Sequence, residues 1–181
     1  MTWSVTLPDA ACLTGQRDKK EDTILDTADL LRFLRDAHRR GYAAGQNAPT
    51  VREADHSTTI AYESGAWRFH DNYFGGEPYG GRAVVFLNGQ PLWMAVYYGR
   101  VEGPGAEVQP VYSFLQWALL RAPEDFPFRG PDHFTDEPFT YRNVRHGDVQ
   151  SFSGEETIHH RGTPVYTATY AGGLVDQRRG D

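Results

Sequence analysis

The sequence predicts an α+β fold, with an antiparallel, strongly curved β-sheet of about seven strands and two helices packed on one face. Two segments carry apolar residues at helical spacing, and most of the chain after residue 57 alternates between apolar and polar residues. Strands and helices do not alternate regularly along the chain, so a parallel sheet is not expected.

The first helix is predicted over residues 27–40, with Thr27 as its N-cap and Gly41 just beyond its end. The second helix is predicted over residues 110–121, with Pro110 in its first turn, where the missing backbone N–H is not needed. Their apolar stripes predict faces that pack on the core rather than on a partner.

The strands are predicted as hairpins separated by short turns. Asn88-Gly89 lies between two apolar runs and is the strongest turn signal in the chain. The glycine-rich residues 75–81 and Gly154 are interpreted as breaks, while residues 46–56 and 123–138 are interpreted as loops. The predicted strands cover 58–63, 66–74, 82–87, 91–100, 139–144, 149–152, 157–160 and 164–170.

The chain of 181 residues suits one domain. Residues 1–26 are predicted to be an arm or linker, residues 27–177 a single α+β domain, and residues 178–181 a tail. Cys12 is the single cysteine, which excludes an internal disulfide and fits a reducing, cytoplasmic location. Neither a signal peptide nor a membrane span is expected.

The composition favours a small-molecule partner. The net charge of −6 disfavours a nucleic-acid surface, and aromatic residues, at 13%, are common in ligand pockets. A second copy of the chain, forming a homodimer, is a further candidate partner. No cofactor and no metal are expected, because His159 and His160 diverge on a strand and no nucleotide-binding motif is present.

The most informative segment is the predicted strand that contains Asp71. Alternate side chains of a strand share a face, which places Asp71 with Trp67, Phe69 and Tyr73. A carboxylate among aromatic rings must be hydrogen bonded or its pKa rises, and a raised pKa suits an acid/base catalyst. Alternatively, Asp71 holds backbone groups of the following glycine-rich loop. His70 lies on the opposite face and is a weaker catalytic candidate.

Further candidates lie on other strands. Glu155 and Glu156 follow a glycine, and only one of them is expected to point inward; the alternative is a solvated acidic turn. Trp93, Tyr97 and Tyr98 belong to a strand that is apolar on both faces, and they are candidates for binding substrate. The alternative for both tyrosines is a hydroxyl whose hydrogen bonds are satisfied within the fold.

Several motifs resemble, in order and spacing, a bacterial domain of unknown function over residues 30–175. The resemblance includes His70-Asp71, Gly75-Gly76-Glu77, Pro91-Leu92-Trp93, Tyr97-Tyr98-Gly99-Arg100, Arg129-Gly130-Pro131, Phe152-Ser153-Gly154-Glu155-Glu156 and Gly172-Gly173.

The resemblance has implications for function. That domain often follows a helix-turn-helix of the xenobiotic-response-element type, and this chain is expected to be a free-standing version of it. Arg129 is a candidate for binding substrate because it belongs to the Arg129-Gly130-Pro131 motif of the resemblance. Family members tend to have Met-Asn where Ala95-Val96 stand, and a histidine where Ala171 stands, which predicts a changed pocket.

The leading functional hypothesis is a cofactor-independent enzyme that transfers protons on a small organic molecule, as an isomerase, cyclase, lyase or hydrolase does, in bacterial specialised metabolism. Asp71 is its expected acid or base, and Glu155 or Glu156 with the tyrosines positions the substrate. The alternative is a domain that binds or senses a small molecule without catalysis. A third hypothesis is an interaction module without a pocket.

Overall fold

The structure is a computed structural model, and it describes residues 26–41, 50–103 and 106–176. The predictions for the arm before Asp26, for Cys12 and for the tail at 178–181 lie outside the described residues.

Two helices and nine strands make up the described fold. Helix α1 spans Thr27–Gly41 and helix α2 spans Val108–Leu119. The strands are β1 (Thr50–Arg52), β2 (Thr58–Ser64), β3 (Trp67–Gly75), β4 (Tyr79–Leu87), β5 (Gln90–Val101), β6 (His133–Asp136), β7 (Phe139–Asp148), β8 (Ser151–His160) and β9 (Thr163–Leu174). They form one sheet in the order β1-β2-β3-β4-β5-β9-β8-β7-β6, and every neighbouring pair is antiparallel.

Both predicted helices are present, with small corrections at their starts. The side chain of Asp26, rather than Thr27, caps α1, because its Oδ1 accepts the backbone N–H of Ala28 at 2.9 Å. Helix α2 begins two residues earlier than predicted, at Val108, so that Pro110 still falls in the first turn.

The prediction of about seven strands is wrong, because the two edge strands lack the alternating pattern. All three residues of β1 and three of the four in β6 are exposed, so no buried face marks either strand. Segments interpreted as loops therefore contain β1 and β6. Gly154 does not break the chain either: β8 runs through it without interruption.

The prediction of strong curvature is also wrong. The sheet is open, with β1 and β6 at its two edges, and it is not strongly curled. Two helices already cover the apolar face, so the sheet does not need to wrap around itself to bury that face.

We call the face on which both helices pack the covered face, and the other the open face. Helix α1 packs on the first strands, where Phe33 stacks on Trp67 with ring centroids 5.3 Å apart. Helix α2 packs on the same face at the other end of the sheet, near β7, where Phe114 stacks on Phe139 with ring centroids 5.2 Å apart. Val96 and Tyr98, on the open face, are about half exposed. Neither described helix has the length and apolar character needed to cross a membrane.

Candidate functional site

Two buried carboxyl side chains lie on the covered face. Asp71 on β3 and Glu156 on β8 both have no exposed surface. Asp71 is paired across strands with Ala83, and Glu156 with Ala168. The small alanine side chains leave room above the sheet, so that polar groups from other elements can reach these carboxyl groups.

Arg129, on the segment between α2 and β6, forms an ion pair with Glu156. Its Nε donates to Glu156 Oε1 at 3.0 Å and its Nη2 donates to Oε2, a bidentate arrangement. Tyr141 also donates to Oε1. Burial lowers the pKa of Arg129, but the charge and hydrogen bonding of Glu156, together with Tyr79 and Tyr166, raise it by more, so that the net shift is upward. Arg129 therefore stays charged, with its carboxylate partner fixed beside it.

Tyrosine hydroxyls extend this buried network. Tyr79 and Tyr166 share a hydrogen bond of 2.6 Å, and Tyr170 donates to Asn143 Oδ1 at 2.7 Å. Burial raises the pKa of Tyr170 to about 12 and raises the pKa of Tyr79 and Tyr166 as well. These tyrosines are therefore neutral near pH 7. Every buried side-chain N or O atom of the described residues has a hydrogen-bond partner.

Asp71 is held by a tyrosine. Tyr97 Oη donates to Asp71 Oδ1 at 2.5 Å. The sequence left two roles open for Asp71, an acid/base group or an acceptor for the glycine-rich loop. This donor is a side chain of β5, two strands away from Asp71 in the sheet.

A cavity of about 200 Å³ opens beside these groups. Its described lining has an aromatic part (Tyr73, Tyr79, Tyr97 and Tyr112), an aliphatic part (Ile60, Leu115 and Leu119) and a remainder of Gly41, Thr50, Gln116 and Arg129. Arg129 is the only residue of this described lining with a formal charge. Asp71 and Glu156 are not among the lining residues and lie behind Tyr97 and Arg129.

The aromatic wall of the cavity is fixed by further contacts. Tyr79 lies between Tyr97 and Tyr112, with ring centroids 6.0 and 5.9 Å away. Tyr112, on α2, donates to the carboxylate of Glu77, which also accepts the backbone N–H of Val101 at 2.8 Å. Glu77 thus ties the turn before β4 to both α2 and the end of β5.

The structure brings together five of the residues selected from the sequence. Tyr73, Tyr97 and Arg129 line the cavity, with Asp71 and Glu156 directly behind them.

The other selected residues lie elsewhere. Trp67, Phe69 and Trp93 belong to or pack against the apolar core, and Trp93 donates its indole N–H to Val149 O at 2.8 Å. His70, Tyr98 and Glu155 point to the open face, since each is adjacent in its strand to a residue of the covered face.

Sequence reasoning missed several members of the site. Tyr79 was not selected because it belongs to the glycine-rich run that was interpreted as a break, although β4 begins at this residue. The glycines of this run do not end the strand: Gly81 lies within β4, and a Cβ at position 81 would lie 2.5 Å from Asn72 O. Tyr112 lies beside the apolar stripe of α2 rather than in it. Tyr141 and Tyr166 do occupy inward positions of alternating strands, and that pattern was the available signal.

The departures from the family pattern lie away from the cavity. Val96 and Ala171 are cross-strand partners on the open face, while Ala95 is buried on the covered face and is not part of the described cavity lining. The prediction that these positions change the pocket therefore has no support in the lining of this cavity.

The fold and site define a class: an α+β domain whose single antiparallel sheet holds a tyrosine-lined cavity next to a buried ion pair. The chain belongs to the family described as Domain of unknown function (DUF5680), whose model matches residues 71–175. The match includes β4 to β9 and α2, together with Arg129 and Glu156. Searches among curated proteins and among solved structures gave no match.

Proposed function

We propose that this protein binds a small organic molecule in the cavity between α2 and the sheet. The observation that carries the proposal is the lining itself: four tyrosine rings and one buried arginine surround an aliphatic floor. Ligand pockets are typically apolar and aromatic, with a few fixed polar groups that orient the ligand.

The polar groups of the cavity are already in position. Arg129 is held by Glu156, Tyr97 by Asp71 and Tyr112 by Glu77. A ligand would meet side chains whose rotamers are restrained, so little conformational entropy would be lost on binding.

The size of the cavity limits the ligand. A cavity of about 150 Å³ is large enough to hold benzene, and this one measures about 200 Å³. The ligand is therefore a molecule with one ring or of similar size. In line with the family resemblance, we extend the proposal to a sensing domain of the bacterial cytoplasm, related to the ligand-binding halves of helix-turn-helix regulators.

Binding can be tested with a library of single-ring aromatic molecules, screened by ligand-observed NMR against three proteins. Gln116 is exposed on α2 and lines the cavity, so Gln116→Trp should fill the space without loss of the fold. Gln109, exposed on the same helix, is not among the described lining residues, so Gln109→Trp is the matched control. Hits that bind wild type and Gln109→Trp but not Gln116→Trp would support the proposal. The absence of hits, or equal binding to all three proteins, would contradict it.

A second candidate function is acid/base catalysis, favoured by the 2.5 Å hydrogen bond between Tyr97 and the buried Asp71. Tyr97 lines the cavity, so it would contact the substrate and exchange a proton with it, while Asp71 would act through Tyr97. Because Asp71 and Glu156 lie behind the lining, direct attack by either carboxylate is the less favoured mechanism.

The two functions differ in the fate of the ligand. Incubation of each screening hit with wild type, followed by mass spectrometry, should return the compound unchanged if the protein only binds. A product that forms with wild type and is lost in both Asp71→Asn and Tyr97→Phe, with the fold intact, would establish the catalytic function instead.

A further inference from the structure

The electrostatics of the cavity narrow the chemical class of its ligand. This inference rests on the proposed binding function and concerns the charge that the ligand carries. Arg129 is the only charged group in the described lining, so its state decides which ligand charge the cavity can accept.

Glu156 already neutralises Arg129. Two of the five guanidinium N–H donors point to the Glu156 carboxylate, and the pair is almost completely buried, with side-chain exposures of 3% and 0%. A ligand carboxylate next to Arg129 would therefore lie close to a second negative charge. Repulsion between them would offset the attraction to the arginine.

A cationic ligand would meet a similar difficulty. The tyrosine rings could attract a cation through their faces. Arg129, however, already lies over the Tyr97 ring, with its Cζ 5.9 Å from the ring centroid, and over the Tyr170 ring at 5.2 Å. A second cation would find these ring faces already occupied by the guanidinium, and no carboxylate belongs to the described lining to compensate its charge.

An uncharged ligand avoids both costs. Two of the five Arg129 N–H groups face Glu156 and one hydrogen bonds with Tyr79, so the guanidinium can still donate to a carbonyl or hydroxyl oxygen. Gln116 offers a further donor and acceptor at the exposed end of the lining. We infer that the cavity takes an uncharged molecule of one aromatic ring that carries a carbonyl or hydroxyl oxygen, placed to accept a hydrogen bond from Arg129.

Three near-isosteric compounds test this inference: benzamide is neutral, benzoate is anionic and benzamidinium is cationic at pH 7. Dissociation constants would be measured by NMR titration against wild type, and the same comparison would be made with the amide, acid and amidine forms of any other hit of the aromatic screen. The neutral form should bind at least about tenfold tighter than either charged form, because an uncompensated charge is costly to desolvate.

The outcomes distinguish the claim that the cavity binds a small molecule from the claim that this molecule is uncharged. Tighter binding of the acid or of the amidine would overturn the inference but leave the binding function standing. Binding by none of the compounds of the screen would contradict the binding function itself.

A variant provides an independent check on the role of Glu156. Glu156→Gln removes the neutralising charge, so the preference should move toward benzoate relative to benzamide by about tenfold or more. An unchanged preference in a folded Glu156→Gln protein would contradict the argument. If this variant does not fold, the comparison of the three compounds on wild type decides alone.

Discussion

Glu155 and Glu156 are neighbours in the chain, but β8 places their side chains on opposite faces of the sheet. Glu156 is fully buried and bound by Arg129 and Tyr141, whereas Glu155 is exposed on the open face. Two glutamates that are neighbours in the chain thus have different environments. The same substitution at each position therefore isolates the effect of burial and ion pairing.

Glu156→Gln should destabilise the protein, because Arg129 would remain buried without its counter-charge. Breaking a buried ion pair by removing one partner costs about 3–5 kcal/mol. The free energy of unfolding, measured by urea denaturation, should fall by this amount. Glu155→Gln, a control of identical chemistry, should change it by less than about 0.5 kcal/mol. Equal effects of the two substitutions would show that the buried pair has no structural role.

The packing of β9 on β8 requires Gly154, the residue that the sequence pattern indicated as a break between two strands. Gly154 lies opposite Tyr170, and a Cβ at position 154 would lie 2.3 Å from the Tyr170 ring. The missing side chain leaves room for this ring over Gly154, where its hydroxyl reaches Asn143.

Gly154→Ala should therefore displace Tyr170 and break its hydrogen bond to Asn143. Overpacking of this kind costs about 1–3 kcal/mol, which thermal or urea unfolding would detect. Gly76→Ala is the control, because a Cβ at Gly76 meets no atom within 4 Å. The explanation fails if both alanine variants are as stable as wild type.

The two helices are joined by His38, whose Nε2 donates to Leu119 O at 3.1 Å. Burial lowers the pKa of His38 to about 4, and the charge of Arg129 adds to this effect, while the hydrogen bond to Leu119 opposes it. The folded protein therefore holds His38 neutral over a pH range in which the unfolded chain, with a pKa of about 6.5, is protonated.

The free energy of unfolding should accordingly decrease as the pH falls from about 6.5 to about 4, because the unfolded state binds the additional proton. The shift corresponds to a contribution on the order of 3 kcal/mol. His38→Gln removes the titrating group and keeps a side-chain donor, so its unfolding free energy should vary less over this window. Parallel pH profiles for wild type and His38→Gln would rule out this role for His38.

For the whole molecule, local patterns predicted much of the fold but less of the site. Alternation placed Phe69 and Asp71 on the buried face of β3, and the Asn88-Gly89 turn is observed with both residues at positive φ. Local periodicity holds no information on the partners of these residues. Arg129 meets Glu156 across 27 residues, and Tyr97 meets Asp71 across 26, so these pairs depend on the strand order.

The central claim is that a small aromatic molecule binds among Tyr79, Tyr97 and Tyr112. It is tested most directly by ¹⁹F NMR of protein labelled with 3-fluorotyrosine, with signals assigned through Tyr→Phe variants. During titration with benzamide, the signals of these three tyrosines should move together, while that of Tyr98, on the open face, should stay unchanged. A shift of Tyr98 alone, or no shift in any of the cavity tyrosines, would contradict the account.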